Sequence, residues 1–134
     1  MKCCRVLPVY FGPRRRWVWD CKDEIDVIKC NVEYELKIDP GKDVELDLII
    51  VNNDRGNRIA QEYLNSIDGK KTKTGRIRVI LGHNIGAQFG AYDHAFESFK
   101  NDYEYWLFHE DDVIFNVPGY YRKMIDQIIK QDNR

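Results

Sequence analysis

The chain has 134 residues, with 21 Lys+Arg against 22 Asp+Glu and a net charge of -1. That length suits one domain with one core, and the balanced charge supplies no global field for nucleic acid or an acidic membrane surface. No window approaches the roughly 20 apolar residues of a membrane span. Four cysteines, Cys3, Cys4, Cys21 and Cys30, form no CxxC pair and have no histidine at zinc-like spacing. With no recognisable signal peptide at the start, the expectation is a soluble, cytoplasmic domain with reduced thiols.

In chain order, Val6-Leu7-Pro8-Val9-Tyr10 is an apolar run of strand type closed by Gly12-Pro13, although Pro8 cannot donate to a sheet ladder. From Pro13 onward Val18, Cys21, Ile25, Ile28, Val32 and Leu36 recur every three or four residues, which predicts a helix that Asp39-Pro40-Gly41 ends. Val44, Leu46 and Leu48-Ile49-Ile50-Val51 read as a strand covered on both faces. Ile59, Ala60, Tyr63, Leu64 and Ile67 are spaced as a second helix, followed by a polar loop over 68–75.

Ile77-Arg78-Val79-Ile80-Leu81 is the third strand. The stretch from Ala87 to Lys100 is a helix expected to bury Phe89, Tyr92, Phe96 and Phe99 on one face. A fourth strand covers 103–108, and a helix behind Pro118 carries Tyr121, Met124, Ile125, Ile128 and Ile129. Strict alternation of strand and helix predicts an α/β fold, a Rossmann-like, mainly parallel sheet with helices on both faces. Such sheets bind ligands beyond the carboxyl ends of their strands.

Each strand in this reading ends in polar residues facing that edge: Tyr10, Asn52-Asn53-Asp54, Asn84 and Glu110-Asp111-Asp112. Three consecutive acids after the buried run Tyr105-Trp106-Leu107-Phe108 repel one another unless a cation or several donors compensate them. Mg²⁺ or Mn²⁺ held by one or two carboxylates completes its shell with phosphate oxygens, which points to a nucleoside diphosphate. The competing account is a solvated turn or a charged helix start. Asn52-Asn53-Asp54 offers partners for a base and a ribose but is also ordinary turn chemistry. Gly86 of Asn84-Ile85-Gly86 lets backbone approach a ligand, as loop glycines do generally. Arg14-Arg15-Arg16 either meets phosphate or is an exposed helix start. His83, His94 and His109 are not spaced as a metal set, and His109, beside the acids, is a supporting residue.

Taken in order, Val6-Leu7-Pro8-Val9-Tyr10, Leu48-Ile49-Ile50-Val51-Asn52-Asn53-Asp54, Asn84-Ile85-Gly86 and Trp106-Leu107-Phe108-His109-Glu110-Asp111-Asp112 resemble the successive motifs of family 2 glycosyltransferases, over almost the whole chain. The resemblance implies a GT-A fold and transfer from a UDP- or GDP-sugar to a saccharide or glycan hydroxyl with Mn²⁺ or Mg²⁺. It also implies that Pro8, Tyr10, Asn53, Asp54, Asn84, Glu110 and Asp111 bind the nucleotide sugar and that Asp111 or Asp112 reaches the metal and diphosphate. The family's acidic motif is Asp-x-Asp, so His109 or Glu110 stands where its first Asp is expected. The acceptor-binding half and general base of inverting members follow the matched region, so no base is assigned, and the lacking half leaves an apolar surface suited to self-association. Two alternatives remain: a non-catalytic sugar-nucleotide-binding or assembly module, and a sugar nucleotidyltransferase, against which the absence of a glycine-rich, lysine-bearing phosphate loop at Tyr10-Phe11-Gly12-Pro13 argues.

Overall fold

The computed structural model describes residues 1–11, 21, 23–53, 56–83 and 87–132. The expectations for Gly12-Pro13, Arg14-Arg15-Arg16, Val18, Asp54 and Asn84-Ile85-Gly86 lie outside the described residues.

Four strands and four helices alternate: β1 (Lys2–Val9), α1 (Glu24–Lys37), β2 (Glu45–Asn52), α2 (Arg58–Ile67), β3 (Ile77–Leu81), α3 (Ala87–Phe99), β4 (Tyr105–Phe108) and α4 (Tyr120–Asp132). All strand pairs are parallel, in the order β3-β2-β1-β4, which gives the Rossmann-like α/β sheet expected from the alternation. Among the described residues, no helix is long and apolar enough to cross a membrane.

The faces follow from side-chain parity along the strands. Leu7 and Val9 of β1 with Leu48 and Ile50 of β2 meet Ile28 and Val32 of α1 and Ala60, Leu64 and Ile67 of α2. Cys3 and Leu46, on that same face, meet Tyr120, Tyr121 and Ile125 of α4. Cys4, Val6, Ile49 and Val51 point the other way, onto Ala91 and Ala95 of α3. Helices therefore cover both faces unequally, three against one.

Several boundaries and faces differ from the sequence expectation. β1 starts at Lys2, because Cys3 and Cys4 are fully buried strand residues. Helix α1 begins at Glu24: Asp23 caps it by accepting from the Asp26 amide at 3.0 Å, and Glu24 and Asp26 place negative charge at the positive end of the helix dipole. Cys21 consequently precedes the helix. On α3 the buried stripe is Ala91 and Ala95, with Tyr92 and Phe99 half-buried against the same cluster as expected, whereas Phe89 is 73% exposed and Phe96 40% exposed. Small side chains let the helix axis approach the sheet, and the large rings beside them are displaced to the rim. Ile128 and Ile129 of α4 are likewise exposed, leaving Tyr120, Tyr121 and Ile125 as the packed face.

Pro8 sits in an interior strand, and the ladder shows why it is tolerated. The Lys2 and Val6 carbonyls accept from Glu104 and His109 on the β4 side, whereas the Met1 and Val9 carbonyls accept from Glu45 and Asn53 on the β2 side. Even-numbered residues of β1 thus present their backbone toward β4. Pairing with β4 ends at Val6↔Phe108, so the donor that Pro8 lacks falls just beyond the last rung. The two strands separate from that point.

Two adjacent tyrosines of α4 isolate the value of a buried hydroxyl. Tyr121 donates to the Cys4 carbonyl at 2.6 Å and lies 3.1 Å from the Tyr105 carbonyl, bridging β1 and β4. The buried Tyr120 hydroxyl has no hydrogen-bond partner. Chemical denaturation is expected to find Tyr121→Phe destabilised by about 1–2 kcal/mol and Tyr120→Phe unchanged or more stable by up to about 1 kcal/mol.

Candidate functional site

In this topology β1, β2 and β3 step one way across the sheet and β4 lies on the opposite side of β1, so the order reverses between β1 and β4. That reversal opens a crevice at the carboxyl ends of the strands. Beyond Pro8 the crevice becomes a cleft of about 120 Å³ lined by Pro8, Tyr10, Gln88, Glu110 and Asp111. Four of the sequence-predicted binding residues thus share one cavity. A whole small-molecule site usually occupies about 300–1,000 Å³, so the cleft by itself has room for only part of such a ligand. Two roomier hollows, one between α2 and β3 and one beneath the 69–76 loop, are lined by no buried polar atom lacking a partner.

Asn53 completes the edge beside Tyr10. Its amide donates to the Val9 carbonyl at 3.1 Å, which continues the β1–β2 ladder by one residue and brings the end of β2 against Tyr10. A Cβ on Gly82 would overlap Asn53 Oδ1, so glycine at the end of β3 makes room for this side chain. The Tyr10 hydroxyl and Asn53 Nδ2 are buried, and neither has a hydrogen-bond partner of good geometry. Burial holds the Tyr10 phenol above its ordinary pKa, opposed by the nearby Asn53 side chain. The two groups lie against each other without a well-formed hydrogen bond, and an unpaired buried donor costs about 1–3 kcal/mol, so this strand edge holds unmet hydrogen-bonding capacity.

The acidic turn is fixed from below. Asn31 of α1, 1% exposed, donates from Nδ2 to the Asp111 carbonyl at 2.6 Å. Arg5 of β1, also 1% exposed, donates from Nε to Glu35 Oε2 of α1 at 2.6 Å and lies 2.7 Å through Nη1 from His109 Nε2. An arginine only donates, so His109 Nε2 accepts and the ring proton is on Nδ1, which donates to the Glu110 carbonyl at 3.0 Å. The Arg5 guanidinium also lies over the Phe115 ring, 5.3 Å from its centroid, and Phe115 stacks on Tyr120. His109 therefore has the supporting place expected of it, and its pKa falls to about 3 because burial and then the Arg5 charge oppose protonation.

Glu110 and Asp111 both border the cleft. Glu110 Oε1 accepts from Gln88 Nε2 of α3 at 3.3 Å, and no cation lies within 4 Å of it among the described residues. Tyr92 of α3 has a raised pKa, first from burial and then from the negative charges of Glu110 and Asp111. Asp112 is half-buried on the same turn but does not line the cleft. Among the described residues no three His, Cys, Asp or Glu side chains come together as a metal site. Glu110 and Asp111 bordering one cavity nonetheless fit a hard divalent ion that takes one or two carboxylates and obtains its other oxygens from a phosphate.

Sequence reading missed Arg5, Asn31, Glu35 and Gln88. A signal was present for three of them: Arg5 interrupts an apolar strand, and Asn31 and Glu35 fall on the turns of α1 that carry Ile28 and Val32. Polar residues at core-facing positions require partners. Nothing in the sequence singled out Gln88. No protein-family model, curated protein or solved structure matches this chain.

Because His109 is neutral in the fold and ionises near 6.5 when unfolded, the unfolded chain takes up the proton first as pH falls. Stability from this group is fully present above about pH 6.5 and declines toward pH 3, by about 1.4 kcal/mol per unit within that window. Urea unfolding between pH 6.5 and 5 is expected to show this loss in the wild type and a much flatter profile in His109→Gln, whose amide oxygen can still accept from Arg5.

Proposed function

We propose that this chain is the donor-binding portion of a glycosyltransferase, holding a UDP- or GDP-sugar together with Mn²⁺ or Mg²⁺ in the β1–β4 cleft for transfer to a saccharide or glycan hydroxyl. The observation that carries this reading is the convergence of two acidic residues, Glu110 and Asp111, with two unpaired buried polar groups, Tyr10 Oη and Asn53 Nδ2, at the carboxyl edge of one parallel sheet. The acids suit the diphosphate end of such a ligand and the unpaired groups suit its nucleoside end. The motif order described above supports the same assignment.

Each residue has a task in this reading. The Asn53 side-chain Nδ2 donates to an acceptor oxygen of the base or ribose, and the Tyr10 ring forms the adjoining wall, its hydroxyl gaining the partner it lacks. Pro8 keeps the cleft open, since the backbone there cannot continue the ladder into β4. Glu110, steadied by Gln88, and Asp111, whose backbone Asn31 holds, present carboxylate oxygens toward the diphosphate. A bound divalent ion would neutralise charge developing on the departing nucleoside diphosphate. The chain's own contribution is to hold those carboxylates still before the ligand arrives, so that little reorganisation remains for the reaction.

Calorimetric titration with UDP, GDP, CDP and dTDP, with and without Mn²⁺, tests the reading. One nucleotide is expected to bind in a metal-dependent way, with affinity reduced at least about tenfold in Asp111→Ala and in Asn53→Ala, roughly the effect of one lost charge-assisted or buried hydrogen bond. Metal-independent binding of every nucleotide, or no binding by a chain shown to be folded, would remove the donor-site assignment. Tight binding without sugar transfer to any glycan acceptor would instead favour a non-catalytic sugar-nucleotide module.

A further inference from the structure

Two thiols lie together away from the cleft. Cys21 Sγ is 3.7 Å from Cys30 Sγ, and both residues are half-buried. Cys3 and Cys4 are completely buried in the sheet. We propose that Cys21 and Cys30 form a reversible intramolecular disulfide, which makes this pair the chain's redox-modifiable site.

The geometry favours the bond. A disulfide places its sulfurs about 2.05 Å apart, so the two must close by less than about 2 Å, a movement that rotation about the Cα–Cβ bonds can supply. The residues are nine apart in sequence, so the loop closed is short and its entropic cost small. Burial, and then the adjacent Cys30 sulfur, pushes the Cys21 thiol up to about 11, so near neutral pH Cys21 rests as a thiol and waits for an oxidant. Burial keeps Cys3 at about 11 as well and raises Cys4 further; with no exposed surface, neither competes.

The oxidant class is a small disulfide such as oxidised glutathione. A thiolate of the pair attacks one glutathione sulfur, forming a mixed disulfide and expelling the first glutathione thiolate. The second cysteine thiolate then attacks the protein-bound sulfur, closing Cys21–Cys30 and releasing the second glutathione. Two protein thiols lose two electrons and two protons, and one glutathione disulfide becomes two thiols.

The bond has a structural address. Cys30 precedes Asn31, whose side chain holds the Asp111 carbonyl, and Cys21 lies two residues before the Asp23 cap of α1. Oxidation therefore fixes the chain's point of entry into α1 onto the second turn of the helix that positions the acidic turn.

The test uses the full chain equilibrated with oxidised glutathione, quenched with acid, alkylated and digested with trypsin without reductant. Cleavage after Arg16, Lys22, Lys29 and Lys37 separates peptides 17–22 and 30–37 unless a disulfide joins them. The expected result is that linked pair, lost on reduction with dithiothreitol and absent from Cys30→Ser, a half-buried substitution whose folding circular dichroism verifies. Persistent glutathione adducts on Cys21 or Cys30 of the wild type, links to Cys3 or Cys4, or disulfide-joined dimers would each overturn the proposal. This readout does not depend on nucleotide binding, so it stands or falls separately from the glycosyltransferase reading.

Discussion

Arg5 is a full positive charge inside an interior strand, and much of the site's construction follows from satisfying it. Removing a guanidinium from water costs several kcal/mol, which only partners of good geometry offset. Glu35 supplies the countercharge from α1, His109 accepts a second hydrogen bond at the end of β4, and the Phe115 ring covers the remaining face. These contacts join β1, α1, β4 and the residues beyond β4 through one buried group. They also select the His109 tautomer, and that tautomer grips the Glu110 carbonyl. The acidic turn is thereby tied to the core by the same interaction that neutralises the core's own charge. Replacing Arg5 and Glu35 with apolar residues could preserve the packing, yet it would remove the contact that fixes the His109 tautomer and leave Asn31 as the firm hold on the turn.

A second constraint decides where the cleft opens. Every interior strand of a parallel sheet is held on both sides, so a crevice needs a reason for two neighbours to part. Here Pro8 removes the next donor on the β4 side directly after the Val6↔Phe108 rung, and the reversal of strand order leaves that gap without a crossing connection. On the other side of β1 the ladder continues one residue further through Asn53 to the Val9 carbonyl. The asymmetry brings Tyr10 and Asn53 together while it separates Tyr10 from Glu110 by a space a ligand can enter.

Much of this arrangement was legible in the sequence. The alternation of elements, the bounds of β3, the end of α1 before Asp39-Pro40-Gly41 and the polar termini of the strands all follow from periodicity and turn chemistry, because those signals are local. The α3 face was legible only in part. Tyr92 and Phe99 pack against the sheet as their spacing suggests, but Phe89 and Phe96 do not, because the distance at which the helix lies from Val6, Ile49 and Val51 favours Ala91 and Ala95, and that distance belongs to the tertiary structure. Likewise Arg5 could be recognised as needing a partner, but not that Glu35 and His109, 30 and 104 residues away, would provide it. Tyr10, Asn53, Glu110 and Asp111 were identifiable by their positions after strands. That Tyr10 Oη and Asn53 Nδ2 lack partners is a property of the folded edge alone.

Paramagnetic mapping gives the most direct test of the central claim that the β1–β4 cleft is the ligand site. Isotope-labelled chain with a saturating nucleoside diphosphate and a trace of Mn²⁺ should lose amide signals first at Glu110, Asp111, Gln88 and Tyr10, while the 69–76 loop at the opposite end of the sheet keeps its intensity. Broadening centred on that loop, or spread evenly over exposed carboxylates, would contradict the assignment of the cleft as the place where metal and diphosphate meet.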